Sequence, residues 1–116
     1  SLGYTLVDRT PRVAEGFALI ERAHKLSPKD PFILDSMGWA LFRLGRLDAA
    51  EDYLRRAYAE RPDAEIAAHL GEVLWVKGER DRAREVWQSQ LGATPESTVL
   101  VETMRRLMPA SAPGGR

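Results

Sequence analysis

Apolar and polar positions alternate with helical spacing through most of the chain. In DSMGWALFRLGR, which runs from Asp35 to Arg46, Met37, Leu41 and Leu44 fall on one face with good helix formers between them. Near the other end ESTVLVETMRRLM carries Val99, Leu100, Val101, Met104, Leu107 and Met108, enough for one amphipathic helix. Start and stop signals frame these stripes. Thr10-Pro11 and Asp30-Pro31 each place an N-cap before Pro at the first helical position, and Asp63 can cap a helix that opens at Ala64. Gly45 and Gly78 stand where a left-handed residue ends the first helix of a pair at little steric cost. Helices are predicted over 2–8, 12–26, 31–44, 47–60, 64–77, 80–91 and 97–108.

The segments repeat. Sliding the chain against itself by 33 positions matches Gly38 with Gly71, Leu41 with Leu74, Gly45 with Gly78, Ala50 with Ala83 and Pro62 with Pro95. Met37 then lies over Leu70 and Leu54 over Trp87. A sparser set continues upstream at Leu2-Gly3, Leu6, Gly16, Ile20, Ala23 and Pro28. This pattern resembles the tetratricopeptide repeat, a helix-turn-helix unit of about 34 residues. The signature positions are Leu34, Met37-Gly38, Leu41, Ala50, Leu54 and Pro62, then Ala67, Leu70-Gly71, Leu74, Ala83, Trp87 and Pro95.

The resemblance implies an all-α fold, an α-solenoid of about two and a half to three repeats with a C-terminal capping helix. Its expected divisions are repeats at 1–30, 31–63 and 64–96, a capping helix at 97–108 and a disordered tail at 109–116. The opening helix is short for a first unit, which suggests the C-terminal part of a longer repeat protein. In the last helix Met104 or Arg105 takes the place that Gly38 and Gly71 hold in the units before it, as suits a cap. An interior glycine costs a helix roughly 1 kcal/mol relative to Ala, so close helix crossing must favour it. Gly38 is expected to face Ala50 or Ala57, and Gly71 to face Ala83. Trp87 holds a core position of the signature.

Composition removes several kinds of chemistry. At 116 residues the chain is one domain by length, and 17 basic against 17 acidic residues give it no global field for nucleic acid or an anionic membrane. Arg55-Arg56, the Arg80, Arg82 and Arg84 set, and Arg105-Arg106 are interleaved with Glu51, Asp52, Glu60, Glu79, Asp81 and Glu85, as on salt-bridged outer faces. With no Cys there is no disulfide, thiolate catalysis or Cys-ligated zinc, and no apolar run reaches 18 residues. His24 and His69 lack metal-ligand spacing, and His24 reads as an exposed residue near a helix end. Neither a nucleophile elbow nor a glycine-rich phosphate loop occurs, and Glu51-Asp52 suits solvated, dipole-favourable positions early in a helix better than a catalytic pair. No enzyme, cofactor, metal or nucleic-acid role is expected.

The candidate function is protein binding. Solenoids of the resembled family hold a peptide or helix on the inner surface lined by the first helix of each unit. Carried over by position, the second unit presents Asp35, Ser36, Trp39, Phe42 and Arg43, and the third Ala68, His69, Glu72, Trp75 and Val76. The first unit adds Tyr4, Val7 and Asp8. Tyr4, Trp39, Phe42 and Trp75 would make a discontinuous apolar track, a kind of surface where few residues supply most of the binding energy; the same bulk could instead pack on an adjacent unit.

The Lys and Asn set by which co-chaperone members clamp a terminal carboxylate is replaced by Asp35, Trp39, Ala68 and Glu72. A mixed apolar and charged ligand fits better. The phrases LGYTLVDRT, ILDSMGWALFRLGR and EIAAHLGEVLWVKGERDRAREVW resemble the C-terminal repeats of proteobacterial outer-membrane lipoproteins of this family. The implied role is an adaptor that binds a periplasmic carboxyl-terminal processing protease and brings it substrates, with membrane attachment only through a lipid anchor that this segment lacks. The alternatives are a structural self-association element of a larger envelope assembly, and a cytoplasmic location.

Overall fold

The computed structural model describes residues 11–109. Within them lie six helices and no strand: α1 (Pro11–Leu26), α2 (Pro31–Arg43), α3 (Leu47–Glu60), α4 (Ala64–Val76), α5 (Arg80–Ala93) and α6 (Thr98–Leu107). The all-α class of helix-turn-helix repeats, an α-solenoid architecture, is thereby established. The helix expected at 2–8 and the tail after Pro109 lie outside the described residues. Two compact units divide between Arg61 and Pro62, the first ending with α3 and the second beginning with α4.

Local chemistry sets the helix ends. The Asp30 carboxylate accepts from the backbone N–H groups of Phe32 and Ile33 at 2.8 and 3.2 Å, with Pro31 opening α2. Asp63 does the same for Glu65 and Ile66 at 3.0 and 3.3 Å, and the Ser97 hydroxyl accepts from Leu100 N–H at 3.2 Å. Each cap satisfies donors that the first turn of a helix cannot.

At the other ends of α2 and α4 one closing motif appears twice. Gly45 and Gly78 adopt φ of 84° and 94°. Gly45 N–H donates to the Phe42 carbonyl and Arg46 N–H to the Leu41 carbonyl; Gly78 donates to Trp75 and Glu79 to Leu74, all at 2.9–3.0 Å. This is the paired closure that a left-handed residue after a helix permits, and a side chain at either glycine would be strained.

The first unit buries Leu34, Met37 and Leu41 of α2 against Ala50, Leu54 and Ala57 of α3. The second buries Ile66, Ala67, Leu70, Val73 and Leu74 of α4 with Ala83 and Trp87 of α5 and Leu100 of α6. Trp87 is fully buried, as its signature position requires.

The glycines do mark close approach, chiefly to large side chains. A Cβ placed on Gly38 would stand 2.6 Å from Leu54 Cγ and 3.2 Å from the Ala50 carbonyl oxygen. On Gly71 it would fall inside the indole of Trp87. Each glycine vacates room for a large side chain sixteen residues later, and Gly38 also lies against the backbone of Ala50, as expected. Burial of that side chain and its dispersion contacts offset the propensity cost.

Outer faces carry ion pairs as their alternating charges imply. Arg55 meets Glu51 at 2.6 Å, Arg56 meets Asp52 at 3.5 Å and Arg84 meets Asp81 at 2.8 Å, and Arg82–Glu79 and Arg105–Glu102 pair likewise. Around Glu102 the Arg105 hydrogen bond and charge hold the carboxyl below its usual range. His24 departs from expectation. It is half-buried, edge-on to Tyr53 with ring centroids 5.5 Å apart, and its Nε2 is buried without a hydrogen-bond partner. Packing of α1 in the first unit, which no local pattern announces, removes it from solvent.

Candidate partner-binding faces

On α2, Asp35, Trp39, Phe42 and Arg43 are spaced i, i+4, i+7 and i+8. At 100° per residue they make one stripe, turned away from the buried Leu34, Met37 and Leu41. Trp39 and Phe42 form a tilted pair with ring centroids 4.7 Å apart and planes at 31°. Both rings are half-buried, as are Asp35 and Arg43, while Ser36 is exposed. Aromatic area flanked by a carboxylate and a guanidinium suits an apolar side chain with polar neighbours.

The equivalent stripe on α4 is built differently. Ala68 is buried and His69 half-buried, while Val76 is 50% exposed. Glu72, at the position of Trp39, accepts two hydrogen bonds from Arg106 of α6 at 2.7 and 3.1 Å. That bidentate bond holds the Arg106 guanidinium above its ordinary pKa. Trp75, at the position of Phe42, leans on Trp87 with centroids 5.8 Å apart. The guanidiniums of Arg80 and Arg84, on α5, lie 4.6 and 5.6 Å from its ring centroid.

The expected site residues therefore separate by unit. Asp35, Trp39, Phe42 and Arg43 come together on α2, and His69, Glu72 and Trp75 stand on α4. Tyr4 lies outside the described residues. Sequence reasoning missed Arg80, Arg84 and Arg106 as neighbours of these groups. The i, i+4 spacing of Arg80 and Arg84 signalled a shared face of α5; nothing local signalled Arg106. Among the described residues no group of three His, Cys, Asp or Glu could hold a metal ion, and no helix is long and apolar enough to cross a membrane.

Comparison with known proteins agrees with this geometry. Residues 31–73 match the family described as Tetratricopeptide repeat. A TPR repeat-containing protein of Pseudomonas aeruginosa is 54% identical over 113 residues, which cover 97% of this chain and 19% of that protein. A BBSome complex member of Bos taurus is 32% identical over 83 residues, 71% of this chain and 16% of that protein. The chain thus spans less than a fifth of the length of either relative. With glycine-permitted crossings and glycine-closed turns recurring at one period, and a family match that opens at the first residue of α2, the helical hairpins of this chain are tetratricopeptide repeats.

Proposed function

We propose that the chain is a protein-binding segment of a longer tetratricopeptide adaptor, and that the α2 stripe takes up part of a partner. One observation carries this reading: Trp39 and Phe42, 4.7 Å apart, stand together on a face of α2 other than that of its buried Leu34, Met37 and Leu41, and both keep part of their surface exposed. Tetratricopeptide repeats generally mediate protein–protein contacts and are generally non-catalytic, and a paired Trp and Phe make an anchor of the kind that dominates such contacts. The resemblance of its phrases to proteobacterial outer-membrane lipoproteins supports a periplasmic adaptor whose partner is a carboxyl-terminal processing protease or its substrates. Strong identity with a TPR repeat-containing protein of Pseudomonas aeruginosa supports the same bacterial setting. In this reading the parent is held at the outer membrane by a lipid anchor elsewhere in its chain.

The test is capture of the purified processing protease by the full-length parent, wild type against Trp39→Ala, with thermal melts and sedimentation mass as controls. Loss of a central aromatic anchor is expected to weaken capture by about 2 kcal/mol, with melting and mass unchanged. Equal capture by both proteins rejects the α2 stripe as the contact. A change of mass with capture intact favours self-association instead.

A further inference from the structure

A second place in the molecule combines charge and apolar surface. In the unit that begins at Pro62, a cleft of about 360 Å³ is lined by Trp75, Arg80, Arg84, Leu107, Met108 and Pro109. Trp75, Leu107, Met108 and Pro109 supply its apolar lining, and Arg80 and Arg84, whose guanidiniums lie over the Trp75 ring, supply its cationic lining. Holding a guanidinium over an aromatic face orients it without using its in-plane N–H donors, so the fork remains able to bind an oxygen anion. Arg84 donates one N–H to Asp81, whose side chain is 98% exposed, and no carboxylate lines the cleft.

We infer that this cleft binds a protein segment in which an acidic side chain stands next to an apolar one. The apolar side chain enters against Trp75, Leu107 and Met108, and the carboxylate accepts hydrogen bonds from Arg80 and Arg84. Charge complementarity selects this occupant. A neutral apolar segment would remove solvent from two guanidiniums without replacing their hydrogen bonds, and a basic one would meet two like charges. The volume suits one or two side chains and leaves the segment's backbone in solvent. The site rests on Trp75 and α5, and does not depend on the α2 stripe.

The probe is a fluorescein-labelled peptide, Gly-Gly-Leu-Glu-Leu-Glu-Gly with an amidated end, titrated by anisotropy into the intact chain. Its controls are the same peptide with Gln for both Glu, and with Lys for both. The acidic peptide is expected to bind, to weaken as salt is raised, and to weaken by about tenfold against Arg80→Gln/Arg84→Gln. The Gln and Lys peptides are expected to bind at least about tenfold more weakly to the wild type. Since that arm changes only the ligand, it stands even if the double variant loses structure by circular dichroism. Trp39→Ala is expected to leave this binding unchanged, which separates the cleft from the α2 contact. Equal binding of acidic and Gln peptides, undiminished binding by a folded double variant, or no binding of the acidic peptide overturns the inference.

Discussion

Gly38 makes room for Leu54, and 33 residues later Gly71 makes room for Trp87. The backbone device is the same in both hairpins, but what fills the vacated space is not. Leu54 is fully buried and has a branched aliphatic end. Trp87 is rigid, wholly buried, and held in place by a long hydrogen bond from its Nε1–H to the Ala68 carbonyl at 3.4 Å. Its ring also gives Trp75 something to lean on, so the aromatic at that position turns toward α5. In the first hairpin the residue at the place of Trp87 is Leu54, and Phe42 pairs with Trp39 on α2. One repeat stacks its helix-face aromatic on a buried indole; the other pairs two half-buried aromatics along one helix. The difference begins with the identity of a single core residue.

The comparison breaks most easily at that residue. Trp87→Ala should cost about 3–5 kcal/mol, since the cavity left behind the glycine cannot collapse easily. Leu54→Ala should cost less, about 2–3 kcal/mol. Urea denaturation followed by far-UV circular dichroism measures both, and a larger loss at Leu54 would mean that the two crossings are not tuned as described. The glycines sharpen the same point. Gly71→Ala drives a methyl group into a ring that has nowhere to go and should cost on the order of 3 kcal/mol. Gly38→Ala presses on Leu54 Cγ and the Ala50 carbonyl oxygen, a smaller clash than an indole ring, and gains helix propensity of about 1 kcal/mol, so its net cost should be about 1–2 kcal/mol, below that of Gly71→Ala. Equal losses in the two variants would show that Leu54 is as immobile as Trp87.

How far these features can be read from sequence depends on how local their causes are. Caps and turn glycines act within a few residues, so Asp30, Asp63, Gly45 and Gly78 announce the ends of α2 and α4 correctly. Close helix approach is also legible, because an interior glycine requires a reason. Its partner is legible only in part: reasoning that small residues meet small residues finds the Ala50 backbone beside Gly38 but not the side chains of Leu54 and Trp87 that fill the room. The stripe on α2 follows from helical spacing alone. Whether Trp75 joins an equivalent stripe depends on the ring of Trp87 and the guanidiniums of Arg80 and Arg84, and a side chain's direction within its own unit has no periodic signature. His24 is the same case, since edge-on packing against Tyr53 decides its burial.

Alkaline pH should distinguish the hairpins by a smaller effect. Burial raises the Tyr58 hydroxyl on α3 above its ordinary value of 10.0. Between that value and the higher folded one, the unfolded chain loses the proton while the folded chain keeps it, so stability falls as pH rises. The second unit contains no tyrosine. Urea midpoints measured from neutral pH upward should therefore decline above about pH 10, and Tyr58→Phe should reduce the decline. An unchanged slope in that variant would assign the alkaline loss to other groups.

The smallest expected difference lies at the position shared by Trp39 and Glu72. Where the first hairpin presents an indole, the second places a carboxylate that joins α4 to α6 through Arg106. The geometry is bidentate and the Glu72 side chain is only 13% exposed, but Arg106 is 57% exposed, so water and salt screen much of the attraction. Glu72→Gln should therefore cost about 0.5 kcal/mol at low salt and less at high salt, whereas Trp39→Ala should be insensitive to salt. Arg106→Ala in the Glu72→Gln background should add little, because the pair is already broken; the coupling from that double-mutant cycle measures the bond itself. A coupling of zero would leave α6 held on α4 by Leu100 and its apolar neighbours alone. In that case Glu72 would be available to a partner, and the functional contrast between the two hairpins would be smaller than their packing suggests.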